Sequence, residues 1–232
     1  MFWIFLLGSF LLPPMFLSAV NAHSFFQKQN TRPTVKILES TEGKTYEKES
    51  RVVFKVQVSD KEDGESKYDE ISPNRVLLKL EYLPSEKKKT LSRTSGLVDI
   101  LNSNCINCHS FEGKRIGPSF YEINQHSQKE GVNVQEMVKR VKNGSSGIWG
   151  KAMMPAHPEL STEEIQRMIS WINNPNTFQN TYYFTGIEGS VLLSPLEKGD
   201  FTSVRIIASY TDNGIDNENR MQGQDTIVIH LK

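Results

Sequence analysis

The sequence predicts an α+β multidomain protein, in which an all-α domain is inserted in, or flanked by, a β-sandwich. Two patterns indicate this fold class. Apolar and polar residues alternate with the two-residue period of β-strands in segments 34–85 and 181–232. Between residues 96 and 176, apolar residues instead recur at the three- and four-residue spacing of amphipathic helices. The chain of 232 residues carries 27 basic and 27 acidic side chains, a balance that indicates neither a nucleic-acid nor an anionic-membrane partner.

The first 22 residues are predicted to be a cleaved secretory signal peptide. They are almost wholly apolar and end at Ala22 in a small-residue segment that suits cleavage. Pro13 and Pro14 disfavour a continuous membrane helix. An uncleaved anchor stays open as the alternative, because no Lys or Arg precedes the apolar run. We therefore expect a periplasmic or otherwise exported protein that is soluble after cleavage and meets a membrane only if this segment is retained.

Strands are predicted on both sides of the helical region, with linkers at 23–33 and 86–95. The alternating apolar positions are Val52, Phe54, Val56, Val58, then Val76, Leu78, Leu80, Tyr82, and later Val204, Ile206, Ala208, Tyr210, Ile227, Ile229 and Leu231. A β block of about fifty residues is small for a core of its own. We favour one sandwich built from both flanks with the helical domain inserted; two separate β units remain the alternative.

The helical region contains two clear amphipathic segments. Their apolar positions are Val134, Met137, Val138 and Val141 in the first, and Ile165, Met168, Ile169 and Ile172 in the second. Ser161 and Glu164 form the capping-box pattern that begins the second helix, and Gly144 suits the end of the first. Met137 and Met168 lie on apolar faces and are predicted to fill the core.

The two cysteines of the chain lie in Cys105-Ile106-Asn107-Cys108-His109, the C-x-x-C-H pattern of covalent haem attachment. Two thiols three residues apart share one face of a helical turn, so both reach the vinyl groups of one porphyrin, while the histidine supplies an iron ligand. A structural zinc site would need further paired ligands, and the other histidines are scattered singly. One covalently attached haem c is therefore predicted.

Residues 96–176 resemble the small bacterial class I cytochromes c, which are soluble single-haem electron carriers. The resemblance lies on the C-x-x-C-H motif, Gly117-Pro118, the glycine-rich segment around Trp149, Met154-Pro155 and a final helix bearing Trp171. It implies that Met154, rather than Met153, is the second axial ligand opposite His109. It also implies that the carbonyl of Pro118 supports the ring of His109 and that Trp149 reaches a haem propionate, with packing on the loop as the alternative for Trp149.

Two further histidines lie within the segment that resembles a cytochrome c. His157 is a competing iron ligand that we disfavour, because Pro155 and Pro158 constrain its turn. His126 is predicted at the surface or at a helix end.

The β flanks resemble, more loosely, the immunoglobulin-like PKD class of exported domains, on segment 52–60 and the Glu62-Asp63-Gly64 that follows. Such modules are often joined to cytochromes in bacterial sugar-dehydrogenase systems, which implies a dehydrogenase as partner. The acidic residues here offer oxygen ligands for Ca²⁺, as does a second stretch. These residues are Asp60, Glu62 and Asp63, then Asp212, Asn213, Asp216 and Asn217. Solvated turns are the favoured interpretation of both stretches.

These features favour an electron carrier rather than an enzyme, one that relays electrons from a dehydrogenase to an oxidase or another cytochrome. A haem enzyme or a gas or redox sensor with a displaceable distal ligand is the first alternative. The second is a surface binding module with an accessory haem, suggested by Tyr182 and Tyr183, which core packing explains as well. Basic residues would steer an acidic partner if they surround the haem edge. These are Lys114, Arg115, Lys139, Arg140, Lys142 and Lys151.

Overall fold

The computed structural model describes residues 29–38, 43–84, 95–193, 201–215 and 218–232. The predicted signal peptide, most of the linker at 86–95, and Asp216 and Asn217 lie outside the described residues. Within the described ranges, no helix has the length and apolar character needed to cross a membrane.

These described ranges contain nine β-strands and five α-helices. The strands are β1 (Thr34–Ile37), β2 (Thr45–Tyr46), β3 (Arg51–Asp60), β4 (Gly64–Glu65), β5 (Leu77–Pro84), β6 (Thr181–Thr185), β7 (Glu188–Leu192), β8 (Phe201–Thr211) and β9 (Gln222–Leu231). The helices are α1 (Ser95–Leu101), α2 (Cys105–Cys108), α3 (Phe120–Glu130), α4 (Val134–Asn143) and α5 (Thr162–Ile172).

The strands form two sheets that share one hydrophobic core. In the first sheet β3 pairs with β1, β4 and β7; the second has the order β2-β9-β8-β5-β6. The alternation of apolar and polar residues in β3 matches the burial of its side chains. Val52 and Phe54 are buried, while Val53 between them is exposed. The shared core contains side chains from both flanks of the helical region, among them Val58 and Val191 of the first sheet and Leu78, Ile206 and Ile229 of the second.

All five helices lie in sequence between β5 and β6, which are neighbours in one sheet. The two strands pair antiparallel, with Leu77 opposite Thr185 and Glu81 opposite Thr181. Just before β6, the carbonyl of Asn180 accepts a hydrogen bond from the N–H of Tyr82 at 2.9 Å. The helical segment therefore leaves the sheet and returns to it at adjacent positions.

Local sequence explains where the longer helices begin and end. Ser161 and Glu164 form the predicted capping box at the start of α5, and Ser119 and Glu122 form a second one at α3. Gly144 follows the last residue of α4, as predicted, with a φ of 80°. The two capping boxes satisfy backbone N–H groups that a helix start leaves without partners.

An aromatic cluster joins the helical segment to the second sheet. The ring of Tyr183, in β6, lies 5.5 Å from that of Phe111, 5.3 Å from that of Trp171 and 5.8 Å from that of Phe178. Tyr183 is only 3 % exposed. Of the two tyrosines that suggested a binding surface, Tyr183 is thus a core residue, while Tyr182 is half-buried against the shared core of the sheets. Core packing accounts for both.

Residues 29–33, the described end of the predicted linker, form no helix or strand but contain one buried polar side chain. Asn30 is buried, and its amide nitrogen donates hydrogen bonds to the carboxylate of Asp212 and to the carbonyl of Asn219, both at 2.9 Å. Polar composition indicated a solvated segment here, but these partners from the distant β8–β9 connection make burial of the amide favourable.

Candidate haem site

The cysteine motif forms a single helical turn, α2. The N–H of His109 donates to the carbonyl of Cys105 at 2.9 Å, so Cys105 and Cys108 lie on one side of the turn. Both cysteines are half-buried, and neither forms a disulfide. Burial raises the pKa of the Cys105 thiol above its usual range.

The ring of His109 is held from three directions. Its Nδ1 lies 2.6 Å from the carbonyl oxygen of Pro118, and its ring stacks on Phe120 with centroids 5.6 Å apart. A Cβ at Gly117 would lie 2.6 Å from Cε1 of the imidazole, so a side chain at this position would displace the ring. An imidazole that donates from Nδ1 keeps the lone pair on Nε2, the form in which histidine binds a metal.

A cavity of about 500 Å³ lies beside this turn. Cys105, Cys108 and His109 form part of its wall, and Met154 forms another part. Much of the remaining wall is apolar and comes from several helices, with Ile100, Phe120, Ile123, Val141, Ile165 and Ile169 among its residues. The volume and apolar lining are those of a site for a cofactor.

The segment after α4 is fixed by its backbone. Ser145 and Met154 exchange two backbone hydrogen bonds, of 3.0 and 2.8 Å, which close the intervening residues into a loop. Gly144 packs against the start of this bridge, where a Cβ would lie 2.9 Å from the carbonyl oxygen of Met154. Because both ends of the loop are bonded together, the position of Met154 is set by main-chain contacts.

Four methionines line the cavity, and their surroundings differ. Met153 is 76 % exposed. The sulfur of Met137 accepts a hydrogen bond from the amide of Asn173 at 3.3 Å. Met168 is buried in the helical core, as predicted. Met154 is half-buried and has the fixed backbone described above.

Trp149 and the two histidines also lie near the cavity. The rings of Trp149 and His126 meet edge to face, with centroids 5.0 Å apart, and Trp149 remains 38 % exposed. His126 lies inside α3 and is half-buried, rather than at the surface or a helix end as predicted.

Nδ1 of His157 lies 2.9 Å from the carboxylate of Glu159, and this hydrogen bond lowers the pKa of Glu159. The imidazole of His157 therefore has a partner of its own.

Two residues of this region were missed in the sequence. Phe120 supports the ring of His109, but its only sequence signal is an apolar residue at the start of a helix. Burial raises the pKa values of Tyr82 and Tyr182, and the charge of Glu112, three residues after the motif histidine, adds to both shifts. Burial raises the pKa of Glu112 itself to about 7.

The outer rim of the cavity is apolar and exposed, while several predicted steering cations have local partners. The exposed apolar residues are Ile116, Ile148, Trp149 and Met153. Arg115 donates to the carbonyl of Ile106, Lys142 to that of Pro158, and Arg140 pairs with the carboxylate of Glu136. Glu136 therefore compensates the charge of Arg140, whereas Arg115 and Lys142 are held by carbonyl groups and keep their charge.

Known proteins match the helical segment. Residues 94–172 match the family model described as cytochrome c oxidase, cbb3-type, subunit III. Cytochrome c-551 of Pseudomonas denitrificans is 34% identical over 68 residues, which cover 29% of this chain and 82% of that protein. Cytochrome c-551 of Pseudomonas aeruginosa is 31% identical over 71 residues, covering 31% of this chain and 67% of that protein.

A solved structure of cytochrome c552 from Nitrosomonas europaea is similar over 32% of this chain and 93% of that one, with 29% identity and a TM-score of 0.31. The β-rich remainder of the chain lies outside the residues matched by the family model. Through its helical segment, with the C-x-x-C-H turn beside the cavity, this chain belongs to the cytochrome c family.

Proposed function

We propose that this protein is an exported, single-haem c-type cytochrome that transfers electrons between redox proteins. The observation that carries the proposal is the position of Cys105, Cys108, His109 and Met154 around one apolar cavity of about 500 Å³. The donors fit haem c, since two thiols share a helical face and an imidazole has its Nε2 free for iron. Haem c supplies a centre that gains and loses one electron.

Each of these four residues has a distinct part in the proposed function. Cys105 and Cys108 would hold the haem through two thioether bonds. His109 would bind the iron, and the Pro118 carbonyl fixes the orientation of its ring through the 2.6 Å contact at Nδ1. Met154 would supply the second protein ligand, and a thioether ligand would favour the reduced iron and so raise the reduction potential. Two protein ligands leave no position for a substrate, which favours electron transfer over haem enzymology.

The proposal extends to the arrangement of domains. We infer that both β flanks form one immunoglobulin-like sandwich into which the cytochrome is inserted. The pairing of β5 with β6 and the shared core of the two sheets support this inference. The aromatic cluster around Tyr183 then fixes the cytochrome against the sandwich, which would serve as a docking or spacing module.

Export and partners follow from the chemistry of attachment. Haem is joined to c-type cytochromes outside the cytoplasmic membrane, and the apolar first 22 residues supply the export signal for this route. The electron donor would be a dehydrogenase and the acceptor an oxidase or another cytochrome. The exposed apolar rim, formed in part by Ile148 and Met153, is the surface through which we expect these partners to reach the haem edge.

The absorption spectrum of the oxidised and reduced protein tests the function. The full chain is expressed with its N-terminal segment in a host competent for c-type maturation. We expect a low-spin spectrum with the weak ferric band of methionine ligation. A high-spin spectrum that shifts on addition of carbon monoxide would contradict the proposal and favour a haem enzyme or sensor.

A pair of variants then tests the distal ligand. Met154→Ala should give a high-spin haem that binds carbon monoxide, with a reduction potential lower by on the order of 0.1 V or more, because axial ligands strongly set the potential. Met153→Ala is the matched control, since that side chain is 76 % exposed, and its spectrum should stay unchanged. The reverse result would transfer the ligand role to Met153.

A further inference from the structure

Three segments that are distant in sequence meet at one end of the β-strands. They are the chain before β1, the loop between β3 and β4, and the loop after β8. Side-chain hydrogen bonds join each segment to the other two. The pairs are Asn30 with Asp212 (2.9 Å), Thr31 with Glu62 (2.6 Å) and Asn213 with Asp63 (2.9 Å). The three segments are therefore bonded to one another at this end of the strands.

Three polar side chains at this junction are almost fully buried. Asp60 is 5 % exposed, Asp212 0 % and Asn30 6 %. The pKa of Asp60 is raised, chiefly by burial, and the negative charges of Asp63 and Asp212 add to the effect despite backbone hydrogen bonds that oppose it. Two carboxylates are thus buried at this junction.

Two oxygens at this junction are buried without a donor. Oδ1 of Asp60 accepts hydrogen bonds from the backbone N–H groups of Glu62 and Asp63, but Oδ2 has no hydrogen-bond partner among the described residues. The amide nitrogen of Asn30 is bonded, and its Oδ1 likewise has no such partner. A buried acceptor without a donor is costly, and a buried anionic one more so, which points to a positively charged group between the segments.

We propose that a divalent cation of the Ca²⁺ type binds at this junction, with Asp60 Oδ2, Asn30 Oδ1 and Asp212 Oδ2 as its protein ligands. Oδ1 of Asp212 already accepts hydrogen bonds from the N–H groups of Gly214 and Met221, whereas Oδ2 accepts one, from Asn30, and keeps a lone pair. All three donors are oxygens, the ligand type that Ca²⁺ prefers, and Ca²⁺ completes its shell with waters and backbone carbonyls. No group of three or more His, Cys, Asp or Glu side chains suited to a metal is present in the described residues. The site instead combines two carboxylates with an amide, which matches the charge of a divalent ion.

The acidic loops alone did not predict this site. Their composition favours solvated turns, and Glu62, Asp63 and Asn213 do serve to join the segments. The ligand that the sequence does not single out is Asn30, which lies in the predicted linker before β1.

Calcium titration of the full, haem-loaded chain tests the inference. The protein is treated with EDTA, desalted, and titrated with CaCl₂ in a calorimeter, and its thermal unfolding is followed with and without Ca²⁺. We expect one Ca²⁺ per chain, with a Kd on the order of 10⁻⁴ M or lower, and a rise in Tm on addition. Absence of both the binding heat and the Tm shift would overturn the inference, because ordered water would then satisfy the two oxygens.

Two variants locate the ion. Asn30→Ala and Asp60→Asn each remove one unpartnered oxygen and should weaken Ca²⁺ binding by at least about tenfold. Asp69→Asn is the control, since it removes the same negative charge from an exposed residue outside the junction. Binding kept by the first two variants, or lost equally in the control, would overturn the ligand assignment.

The stability of Asp60→Asn in EDTA supplies a second readout. An amide there removes a buried charge that lacks a partner, so this variant should unfold at a Tm no lower than that of the wild type when Ca²⁺ is absent. If the variant does not fold, the uncharged change Asn30→Ala decides the question. The haem spectrum, recorded in parallel, reports on the proposed electron carrier independently of Ca²⁺.

Discussion

The sheets and the helical segment of this protein achieve their packing in different ways. In the sheets, one cluster holds side chains from both layers, and several of them have no exposed surface. Fully buried examples are Val58, Val76, Leu78, Val204 and Ile229. The helices instead form two separate clusters, and residues of both line the same cavity of about 500 Å³.

This difference indicates what each region needs in order to fold. The strands bury a continuous core formed by their own side chains. The helices have 11 residues or fewer, a length at which isolated helices are marginal, and the side chains that line the cavity depend on its contents for contacts. The cofactor is therefore expected to complete the core of the helical segment, whereas the sheets have a separate core and contact the helices through residues such as Leu77 and Tyr183.

The largest effect should come from preventing covalent attachment. In the double variant Cys105→Ser/Cys108→Ser, we expect loss of most of the helical circular-dichroism signal, while amides of β8 and β9 stay protected from hydrogen exchange. The physical reason is that the cavity walls lose the group that joins the two helical clusters. Met153→Ala, which keeps both cysteines, is the control. Intact helices in the haem-free double variant would mean that the helical segment has a sufficient core of its own.

Truncation of Tyr183, where the helical segment packs on the second sheet, should have the next largest effect. Tyr183→Ala removes a ring that is 3 % exposed and contacts three other aromatic rings, so we expect a loss of about 3 kcal/mol in the free energy of unfolding. Denaturant unfolding followed by haem absorbance and by far-UV circular dichroism should then give two separated transitions. Tyr182→Ala, its half-buried neighbour, should cost about 1 kcal/mol. Equal losses in the two variants would contradict the special role of Tyr183.

A smaller effect is expected from substitution of Glu112, whose carboxyl group lies between the helical segment and the sheets. Burial raises the pKa of Glu112 from 4.5 to about 7, so folding favours its protonated form. Its contribution to stability is complete below about pH 4.5 and is lost as pH rises through about 7. Glu112→Gln should therefore stabilise the protein at pH 8, by about 1–3 kcal/mol, and leave it nearly unchanged at pH 4.

Urea unfolding of Glu112→Gln at a series of pH values measures this difference. Glu122→Ala serves for comparison because it removes the side-chain oxygen that accepts hydrogen bonds from Ser119 at the start of α3, and it should destabilise the protein at pH 8 instead. An identical pH dependence in wild type and Glu112→Gln would show that the carboxyl is well solvated.

Much of the local structure was predictable because it depends on short-range patterns. The capping box of Ser161 and Glu164 and the end of α4 at Gly144 were evident from neighbouring residues alone. The C-x-x-C-H turn was predictable for the same reason. Selecting Met154 required the family resemblance, since both methionines of the pair occupy similar sequence surroundings.

The contact between the helical segment and the sheets was harder to predict, because β5 and β6 are covered on both faces. Leu78 contributes to the core of the sheets, whereas its neighbour Leu77 packs against the helices. Tyr182 and Tyr183 differ in the same way. Apolar residues on consecutive positions do not reveal which face meets which partner, and the partner of the outer face lies far away in sequence. Asn30 was missed for a related reason, since its partners Asp212 and Asn219 are almost the length of the chain away.

The place where the helical segment joins the sheet bears on how such a protein could have arisen. Antiparallel neighbours such as β5 and β6 are ordinarily joined by a turn of a few residues, and here the helical segment stands in its place. Loop closure becomes only slowly more costly with length, and an insert whose two ends already lie side by side adds little to that cost. A gene encoding a β-protein could therefore acquire an electron carrier in one recombination event within a hairpin turn and retain the register of every strand pair.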